Sequence, residues 1–298
     1  MDVAVAGSSG LIGRALAREL ESAGHRVRPL LRPSSPPHPD GIRWDPAGGW
    51  IDEDSLRGAG AIVNLAGEPI GARRWTVRHK ALIRQSRIDA TSVLARAIAA
   101  MPDPKPAFVS SSASGYYGER GEEILEEASE PGEGFLARVC VAWEAATRPA
   151  ADAGARVAIS RSGIVLDPGG GLLQRLLPLF KLGLGGRLGS GRQWTPWISL
   201  RDEARALAFL IANDDVSGPF NLCTAEPVRN QELTRSIGRA VRRPTPFVVP
   251  AFALRAAFGE DAVRDAFLTS ARLMPAALLK AGFSFEDPAL GAALASML

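Results

Sequence analysis

Three glycines near the amino terminus have the spacing of a phosphate-binding turn. The segment 7–13 has the sequence GSSGLIG, follows the apolar run Val3–Ala6 and opens an amphipathic helical pattern over 11–23. In such a strand-turn-helix unit the first glycine permits the tight turn, the second lets backbone N–H groups approach a pyrophosphate, and the third allows close helix-strand contact. We therefore expect Gly7, Gly10 and Gly13 to hold a dinucleotide at the positive end of the helix. A simple tight turn is the alternative.

The residues after the second predicted strand, 26–31, bear on the type of dinucleotide. An acidic side chain at this point would bind the ribose hydroxyls of NAD and repel a 2′-phosphate. This chain instead has Arg32, Ser34 and Ser35, and a guanidinium group suits bidentate contacts with a phosphate. The sequence therefore favours NADP(H), with an ordinary solvated arginine as the alternative for Arg32.

The histidines and cysteines form no recognisable catalytic or metal-binding pattern. His25, His38 and His79 are not paired with a Ser or Cys nucleophile at a known spacing, and Cys140 and Cys223 lie far apart. We expect no metal site, and we expect both thiols to be reduced and buried.

Strand and helix patterns alternate along most of the chain. Strands are expected at 61–65, 107–111, 156–165 and 219–222, and helices at 77–100, 134–153, 172–182 and 202–212. The segments 61–63 and 157–159 within these strands are continuously apolar, as strands buried on both faces are. The pattern predicts an α/β fold, specifically a Rossmann-type doubly wound parallel sheet with a smaller, mainly helical C-terminal lobe.

A change in character after Leu166 and a loop at Glu226-Pro227 predict how the chain is divided. We expect an NADP-binding Rossmann domain over 1–225, with a glycine-rich substrate-side loop at about 167–197, and a small helical lobe over 226–298 with a helical pattern over 261–280. Three polar or aromatic residues of the loop could hold a ligand as a flexible lid, or could belong to a structural loop with buried tryptophans. These residues are Gln193, Trp194 and Trp197.

Charge and hydropathy exclude several classes of partner. Lys and Arg number 35 against 32 Asp and Glu, and the basic stretches at 73–87 and 239–243 alternate with apolar residues as solvated helix faces do. The chain begins on an apolar run without the basic segment of a secretion signal, and no apolar stretch is long enough to span a bilayer. We expect a cytoplasmic protein that binds a small-molecule or nucleotide-linked substrate and neither nucleic acid nor membrane. The sequence leaves the oligomeric state open.

Several motifs resemble those of a known superfamily. The GxxGxxG turn, the NLAG segment at 64–67 after a strand, and Ser110-Ser111-Ser112 before Tyr117-Gly118 resemble the extended short-chain dehydrogenase/reductases over most of the first 225 residues. Longer segments are similar to an atypical branch, the NAD(P)-dependent epimerase/dehydratase-like "epimerase family proteins", which carry a small C-terminal domain of unknown function. These segments include 115–118, Trp143-Glu144, 161–166 and 185–194.

The resemblance implies a role for individual positions around the cofactor. It places one group of residues against the pyrophosphate, Arg32 against the 2′-phosphate, a second group beside the adenosine ribose, and a third near the nicotinamide. The first group is Gly7, Ser9, Gly10, Leu11 and Ile12, the second is Leu65, Ala66 and Gly67, and the third is Ser110, Ser111, Ser162, Gly163 and Ile164.

The usual catalytic pair of the superfamily is missing from this chain. Active members use a Tyr and a Lys four residues later on one helix, where the Lys lowers the pKa of the Tyr. The corresponding helix here has the sequence LARVCVAWE over 136–144, and Ser199 stands where the branch usually has a histidine. Ser112 and Tyr117 remain as polar catalytic candidates near the nicotinamide. We expect an NADP(H)-binding, epimerase-like oxidoreductase of unknown substrate, with a non-catalytic NADP(H)-binding or redox-sensing protein as the alternative.

Overall fold

The computed structural model describes residues 1–71 and 73–298. Its strands, in chain order, are β1 (Asp2–Ala6), β2 (Arg26–Leu31), β3 (Ile42–Asp45), β4 (Trp50–Ile51), β5 (Ala59–Asn64), β6 (Ala107–Ala113), β7 (Ile124–Leu125), β8 (Val157–Ser162), β9 (Ile164–Asp167), β10 (Gly186–Leu188), β11 (Trp194–Thr195), β12 (Trp197–Ser199), β13 (Gly218–Leu222), β14 (Val228–Arg229), β15 (Phe247–Val249) and β16 (Arg272–Leu273).

Helices connect these strands and cover the sheet. They are α1 (Leu11–Ser22), α2 (Glu53–Leu56), α3 (Val77–Ala100), α4 (Phe135–Ala145), α5 (Arg148–Asp152), α6 (Gly171–Lys181), α7 (Leu200–Ala212), α8 (Asn230–Ala240), α9 (Ala251–Phe258), α10 (Glu260–Ala262), α11 (Ala276–Lys280) and α12 (Leu290–Met297). A 3₁₀ turn at Ser114–Tyr117 follows β6, and a π-helical turn at Val263–Phe267 follows α10. No helix of the described ranges is both long enough and apolar enough to cross a membrane.

The main sheet has eight strands in the order β13-β8-β6-β5-β1-β2-β3-β4. Neighbouring strands are parallel except β3 and β4. The strand order reverses between β1 and β5, and ligands of doubly wound sheets bind beyond the carboxyl ends of the strands at such a reversal. The predicted Rossmann-type doubly wound sheet is therefore confirmed, and its geometry locates the edge where a cofactor site must lie.

Each face of this sheet has its own hydrophobic core. Helices α1 and α7 cover one face, where Val5, Leu16 and Leu207 are buried together. Helices α3 and α5 cover the other face, where Ile62 and Leu94 belong to the core. Because successive side chains of a strand point to opposite faces, neighbouring residues at a strand end serve different sides of the candidate site.

Two predicted elements are interrupted in the structure. The helix expected at 134–153 is split into α4 and α5, because Pro149 has no backbone N–H and its ring excludes the helical carbonyl four residues earlier. The strand expected at 156–165 is split at Gly163, whose N–H donates to the carbonyl of Leu222. Strand β9 then leaves the main sheet and pairs with β12 instead.

The prediction of one helix over 261–280 is wrong. Only α10, the π-helical turn and α11 are helical in this region, and Arg272–Leu273 forms a strand that pairs with β7. The apolar periodicity that predicted a helix reflects burial against distant elements. Within this segment Ala262 packs with Ile83, Leu273 packs with Leu125, and Leu278 belongs to the core under α7. Beyond it, Leu290 and Leu294 pack with Leu173 of α6. The C-terminal residues therefore share their cores with the Rossmann domain.

Candidate functional site

The glycine turn lies at the carboxyl end of β1, and its geometry depends on two close approaches. Gly7 has a φ of +80°, and a Cβ there would lie 2.9 Å from the carbonyl carbon of Leu65 at the end of β5. A Cβ on Gly13 would lie 2.2 Å from the carbonyl oxygen of Gly7. Neither position has room for a side chain, so both glycines are needed to bring helix, turn and neighbouring strand together.

The amino terminus of α1 has backbone N–H groups and no competing acceptor. Gly10 is the N-cap, it provides no side-chain cap, and the first turn has no acidic residue. Ser9 and Gly10 are exposed, and Leu11 and Ile12 are half-buried. The Arg14 guanidinium donates to the carbonyl of Ser9. A helix end of this kind binds an anion through its unpaired amides and its dipole.

Arg32 lies at the same edge, in an exposed turn after β2. Strands β1 and β2 are adjacent and their register pairs Ala6 with Leu30, so the turn after β2 is next to the glycine turn. The backbone N–H of Ser35 donates to the carbonyl of Arg32 at 2.9 Å. The guanidinium of Arg43 also donates to this turn. Arg43 was not predicted from the sequence, because nothing in its local spacing connects it with Arg32.

The end of β5 forms the third side of this edge. The Asn64 carboxamide accepts from the N–H of Ala66 at 3.1 Å and donates to the hydroxyl of Thr91 at 2.8 Å. This side chain therefore ties the segment 65–67 to α3. A Cβ on Gly67 would lie 3.2 Å from Cζ of Arg87. Leu65, Ala66 and Gly67 are thus adjacent to the glycine turn, as the predicted cofactor site requires.

The end of β6 carries a buried charged network. Ser112 is 4% exposed and donates to Oε1 of Glu144 at 2.6 Å. Arg161, opposite Ser112 in β8, donates two bonds to the same carboxylate, at 2.9 and 2.8 Å. Burial opposes the charge on Arg161, but its hydrogen bonds with Glu144 raise its pKa above the ordinary value. Both Glu144 and Arg161 lie in segments that carry the family resemblance, yet their pairing was not predicted.

Tyr117 belongs to this network and has no exposed surface. It is 0% exposed, its hydroxyl donates to Oδ1 of Asn221 at 2.7 Å, and it accepts from Arg161 at 2.9 Å. Burial raises the pKa of the phenol to about 12. In this conformation Tyr117 stabilises the network and offers no surface to a substrate, in contrast to the catalytic role predicted for it.

The remaining predicted residues lie at the ends of β6 and β8. Ser110 is fully buried, and Ser111 is half-buried. Ser162 follows Arg161 and therefore points to the opposite face, where its hydroxyl donates to the buried carboxyl of Glu203 at 2.6 Å. Ile164 donates its backbone N–H to the carbonyl of Pro196 at 2.8 Å. The structure thus brings the predicted nicotinamide-side residues to one edge, although their contact with a cofactor stays a prediction.

A cleft opens directly after β6. Its volume is about 840 Å³, and its walls come from the loop after β6, the start of α4 and the C-terminal lobe, including Gly115, Leu136, Arg138, Asp261 and Asp265. Helix α4 directs Leu136 and Cys140 toward Gly115, since a Cβ there would lie 3.1 Å from Cβ of Leu136 and 3.9 Å from Sγ of Cys140. A smaller cavity of about 280 Å³ shares Glu119 with this cleft and has Gln193 in its wall.

Comparison with known proteins identifies the family. The model of the NAD dependent epimerase/dehydratase family matches residues 3–223, and that of a domain of unknown function, DUF1731, matches residues 249–297. The chain belongs to the epimerase/dehydratase family. An epimerase family protein of Mycobacterium bovis is 48% identical over 98% of this chain and 96% of its own length.

Solved structures of other epimerase family members have the same fold. The crystal structure of the human epimerase family protein SDR39U1 with NADPH has a TM-score of 0.91 and 34% identity, covering 100% of this chain and 99% of the human chain. A nucleoside-diphosphate sugar epimerase from Corynebacterium glutamicum has a TM-score of 0.82 and 37% identity, covering 100% of this chain and 58% of the other.

The glycine-rich segment of this epimerase family chain is largely structural. Trp197 is 1% exposed and packs with Leu166 and Leu173. Gln193 is buried and donates to the carbonyl oxygens of Leu188 and Phe267 at 3.2 and 3.4 Å. Of the two alternatives from the sequence, a structural loop describes both residues, while Gln193 also borders the smaller cavity.

Trp194, in contrast, is held by charged side chains. Its indole N–H donates to Glu122 at 2.9 Å. The guanidinium groups of Arg229 and Arg272 lie 4.3 and 4.6 Å from its ring centroid. These cation–π contacts and the indole hydrogen bond fix the position of the Trp194 ring.

The C-terminal part of the family fold contributes directly to the cleft. Oδ2 of Asp265 accepts from the backbone N–H groups of Phe135 and Leu136, at 2.5 and 3.4 Å. Gly134, which precedes α4, has a φ of +108° and a Cβ there would lie 2.9 Å from the same oxygen. Asp265 thus caps a helix 130 residues away, and local sequence patterns could not have indicated this contact.

Proposed function

We propose that this protein binds NADPH across the carboxyl edge of its sheet and transfers hydride between NADPH and a small or nucleotide-linked substrate in the adjoining cleft. The observation that carries the proposal is the position of the 840 Å³ cleft. Its walls include Gly115, which follows β6, and β6 is the strand that adjoins β5 at the cofactor edge. A substrate there would lie beside the predicted nicotinamide position.

The residues at this edge fit the cofactor. A Cβ on Gly10 would have open space apart from the Gly7 carbonyl, so the backbone there is accessible to a pyrophosphate, and the first turn of α1 provides amides without a cap or an acidic neighbour. Arg32 is exposed at the end of β2, where no acidic residue opposes a 2′-phosphate. The NADPH in the crystal structure of the human relative, which is 34% identical, supports the same choice of cofactor.

NADPH, when bound, supplies a hydride to an electrophilic carbon such as that of a carbonyl, whose oxygen then takes up a proton. The protein must bind the cofactor and the substrate, orient them, and provide that proton. Ser112 is the predicted catalytic residue best suited to orient a carbonyl oxygen. Its proton is held by Glu144 at 2.6 Å, and it would have to turn away from this carboxylate to donate to a substrate.

Neither Tyr117 nor helix α4 offers a strong donor for this proton. Tyr117 has a pKa of about 12 and is buried, and α4 contains neither tyrosine nor lysine. General acid-base assistance contributes about 10²–10⁴-fold to such rates. We therefore expect low turnover on ordinary short-chain dehydrogenase and epimerase substrates. Identity of 37% to a nucleoside-diphosphate sugar epimerase supports a nucleotide-linked substrate.

The second candidate is an NADPH-binding protein without turnover. It is favoured because α4 directs Leu136 and Cys140 toward the segment after β6, and neither side chain can replace the catalytic tyrosine and lysine of the superfamily. Burial raises the pKa of the Cys140 thiol to about 11 and also raises the pKa of Cys223. Because thiolates are the reactive form, such thiols do not favour sensing through cysteine oxidation.

Transfer of deuterium from NADPH separates the two candidates without knowledge of the substrate. The purified protein is incubated with NADPH deuterated at C4 and a small-molecule extract, and products are analysed by mass spectrometry. An enzyme yields a labelled product that disappears with Gly10→Val and is reduced with Ser112→Ala. Tight NADPH binding without any protein-dependent label would support the second candidate, and absence of NADPH binding would refute both.

A further inference from the structure

We propose that Arg43 is a positioning residue that determines preference for NADPH by holding the turn of Arg32 in its binding geometry. This inference rests on the proposed function, since it concerns the 2′-phosphate end of the same cofactor. Arg43 lies on β3, outside the glycine turn and outside the segment after β2. It acts through the backbone of the turn and not on the reacting atoms.

The contacts of Arg43 bracket the turn. Its Nη1 atom donates to the carbonyl oxygens of Arg32 and Ser35, both at 3.0 Å. The N–H of Ser35 donates to the same Arg32 carbonyl at 2.9 Å. One nitrogen therefore holds the first and the last residue of the turn, and charge-assisted bonds of this kind are stronger than those between neutral groups.

The two arginines differ in how firmly they are placed. Arg43 is half-buried and lies in a strand whose register pairs it with Leu31, the residue just before Arg32. Arg32 is exposed, and its guanidinium takes part in none of the hydrogen bonds or ion pairs of the described ranges. An exposed loop would otherwise have to be ordered when the ligand binds. Because Arg43 extends from a strand of the sheet and holds the turn before the ligand binds, part of the entropic cost of ordering the loop is removed.

Charge around the turn also favours an anion. Neither Arg32 nor Arg43 forms an ion pair within 1–71 or 73–298. The guanidinium of Arg32 is thus free to contact an anion, while Nη1 of Arg43 stays on the carbonyl oxygens of the turn. A 2′-phosphate would contact Arg32, whereas the ribose hydroxyl of NADH would gain little from it.

The affinities of NADPH, NADH and adenosine 2′,5′-bisphosphate, measured by isothermal titration calorimetry, test the inference. Arg43→Ala should weaken NADPH and the bisphosphate by about tenfold and leave NADH within about twofold. Arg43→Lys, which keeps the charge and one donor, should recover part of the loss. Arg57→Ala removes an equal charge from the exposed end of α2, where Arg57 pairs with Asp54, and should change none of the three affinities.

A double mutant distinguishes positioning from direct contact with the phosphate. If Arg43 acts through the turn, Arg32→Ala combined with Arg43→Ala should bind NADPH no more weakly than Arg32→Ala alone, since coupled residues are not additive. Additive losses, equal loss of NADPH and NADH, or an unchanged Arg43→Ala variant would overturn the inference. Failure of the unmodified protein to prefer NADPH would instead refute the proposed cofactor, so the two failures are distinguishable.

Discussion

Oε1 of Glu203 accepts a 2.6 Å hydrogen bond from the hydroxyl of Ser162, while Oε2 of the same carboxyl has no partner among the described residues. Glu203 is 1% exposed. Burial raises its pKa from the ordinary value of 4.5 to about 7, and the Ser162 hydrogen bond only partly opposes this. The protonated carboxyl is therefore the form that the fold favours.

This shift predicts that stability falls as the pH rises. The raised pKa means that the folded protein retains the proton between pH 4.5 and about 7 while the unfolded chain releases it. Relative to Glu203→Gln, the unmodified protein should lose on the order of 3 kcal/mol of unfolding free energy across this window. Urea unfolding at several pH values measures the difference. A constant difference between the two proteins would show that the Glu203 pKa is not raised.

Replacement of Arg32 should change the choice of cofactor. We expect Arg32→Ala to weaken NADPH by about 1.5–3 kcal/mol, the cost of a lost charged hydrogen-bond partner, and to leave NADH nearly unchanged. Fluorescence titration of the reduced cofactors measures both affinities. An equal loss for NADH would remove Arg32 from the 2′-phosphate site.

Two glycines of the turn should respond differently to substitution. Gly10 has open space apart from the Gly7 carbonyl, 3.2 Å from a Cβ, whereas a Cβ on Gly13 meets that carbonyl at 2.2 Å. Gly10→Val should therefore abolish cofactor binding in a folded protein, because the side chain occupies the approach to the pyrophosphate. Gly13→Ala should lower the melting temperature. Calorimetry measures the melting temperature of both variants, and titration measures their cofactor affinity. Retained NADPH binding by a folded Gly10→Val variant would exclude the turn from the site.

The phenol of Tyr117 should matter for stability more than for proton transfer. Tyr117→Phe removes the buried hydroxyl that donates to Oδ1 of Asn221 and accepts from Arg161, which should cost roughly 1–3 kcal/mol of unfolding free energy. Urea unfolding measures this cost, and NADPH affinity should remain unchanged. If the variant were as stable as the unmodified protein but lost turnover on an identified substrate, Tyr117 would be a catalytic residue after all.

Local patterns were sufficient for the parts of the site that lie within one strand-turn-helix unit. The glycine spacing in 7–13 indicates a phosphate-binding turn wherever it follows a strand and opens a helix. Arg32 could be assigned for the same reason, because the end of the next strand always lies beside that turn in a βαβ unit. Alternating apolar segments likewise predicted the doubly wound sheet.

Residues that act through distant contacts could not be assigned in this way. The bond between Ser112 and Glu144 spans 32 residues, and Asp265 caps α4 from 130 residues away. The apolar pattern over 261–280 was mistaken for one helix because burial against other elements creates the same periodicity as a helix face. Tyr117 was predicted to act on a substrate because its position near Ser112 gave no indication of its burial.

The amino-acid sequence by itself determined the parallel sheet, the dinucleotide turn and the absence of a Tyr/Lys pair, because each follows from residue types at short separations. Tertiary structure alone decided which polar groups are sealed in the interior and which line the cleft. It placed the Tyr117 hydroxyl against Arg161 and buried Glu203 without a cationic partner. It also brought the Arg43 guanidinium to the carbonyl oxygen of Arg32. Burial and electrostatic pairing depend on distances in space between residues that are remote in the chain, and no local spacing encodes them.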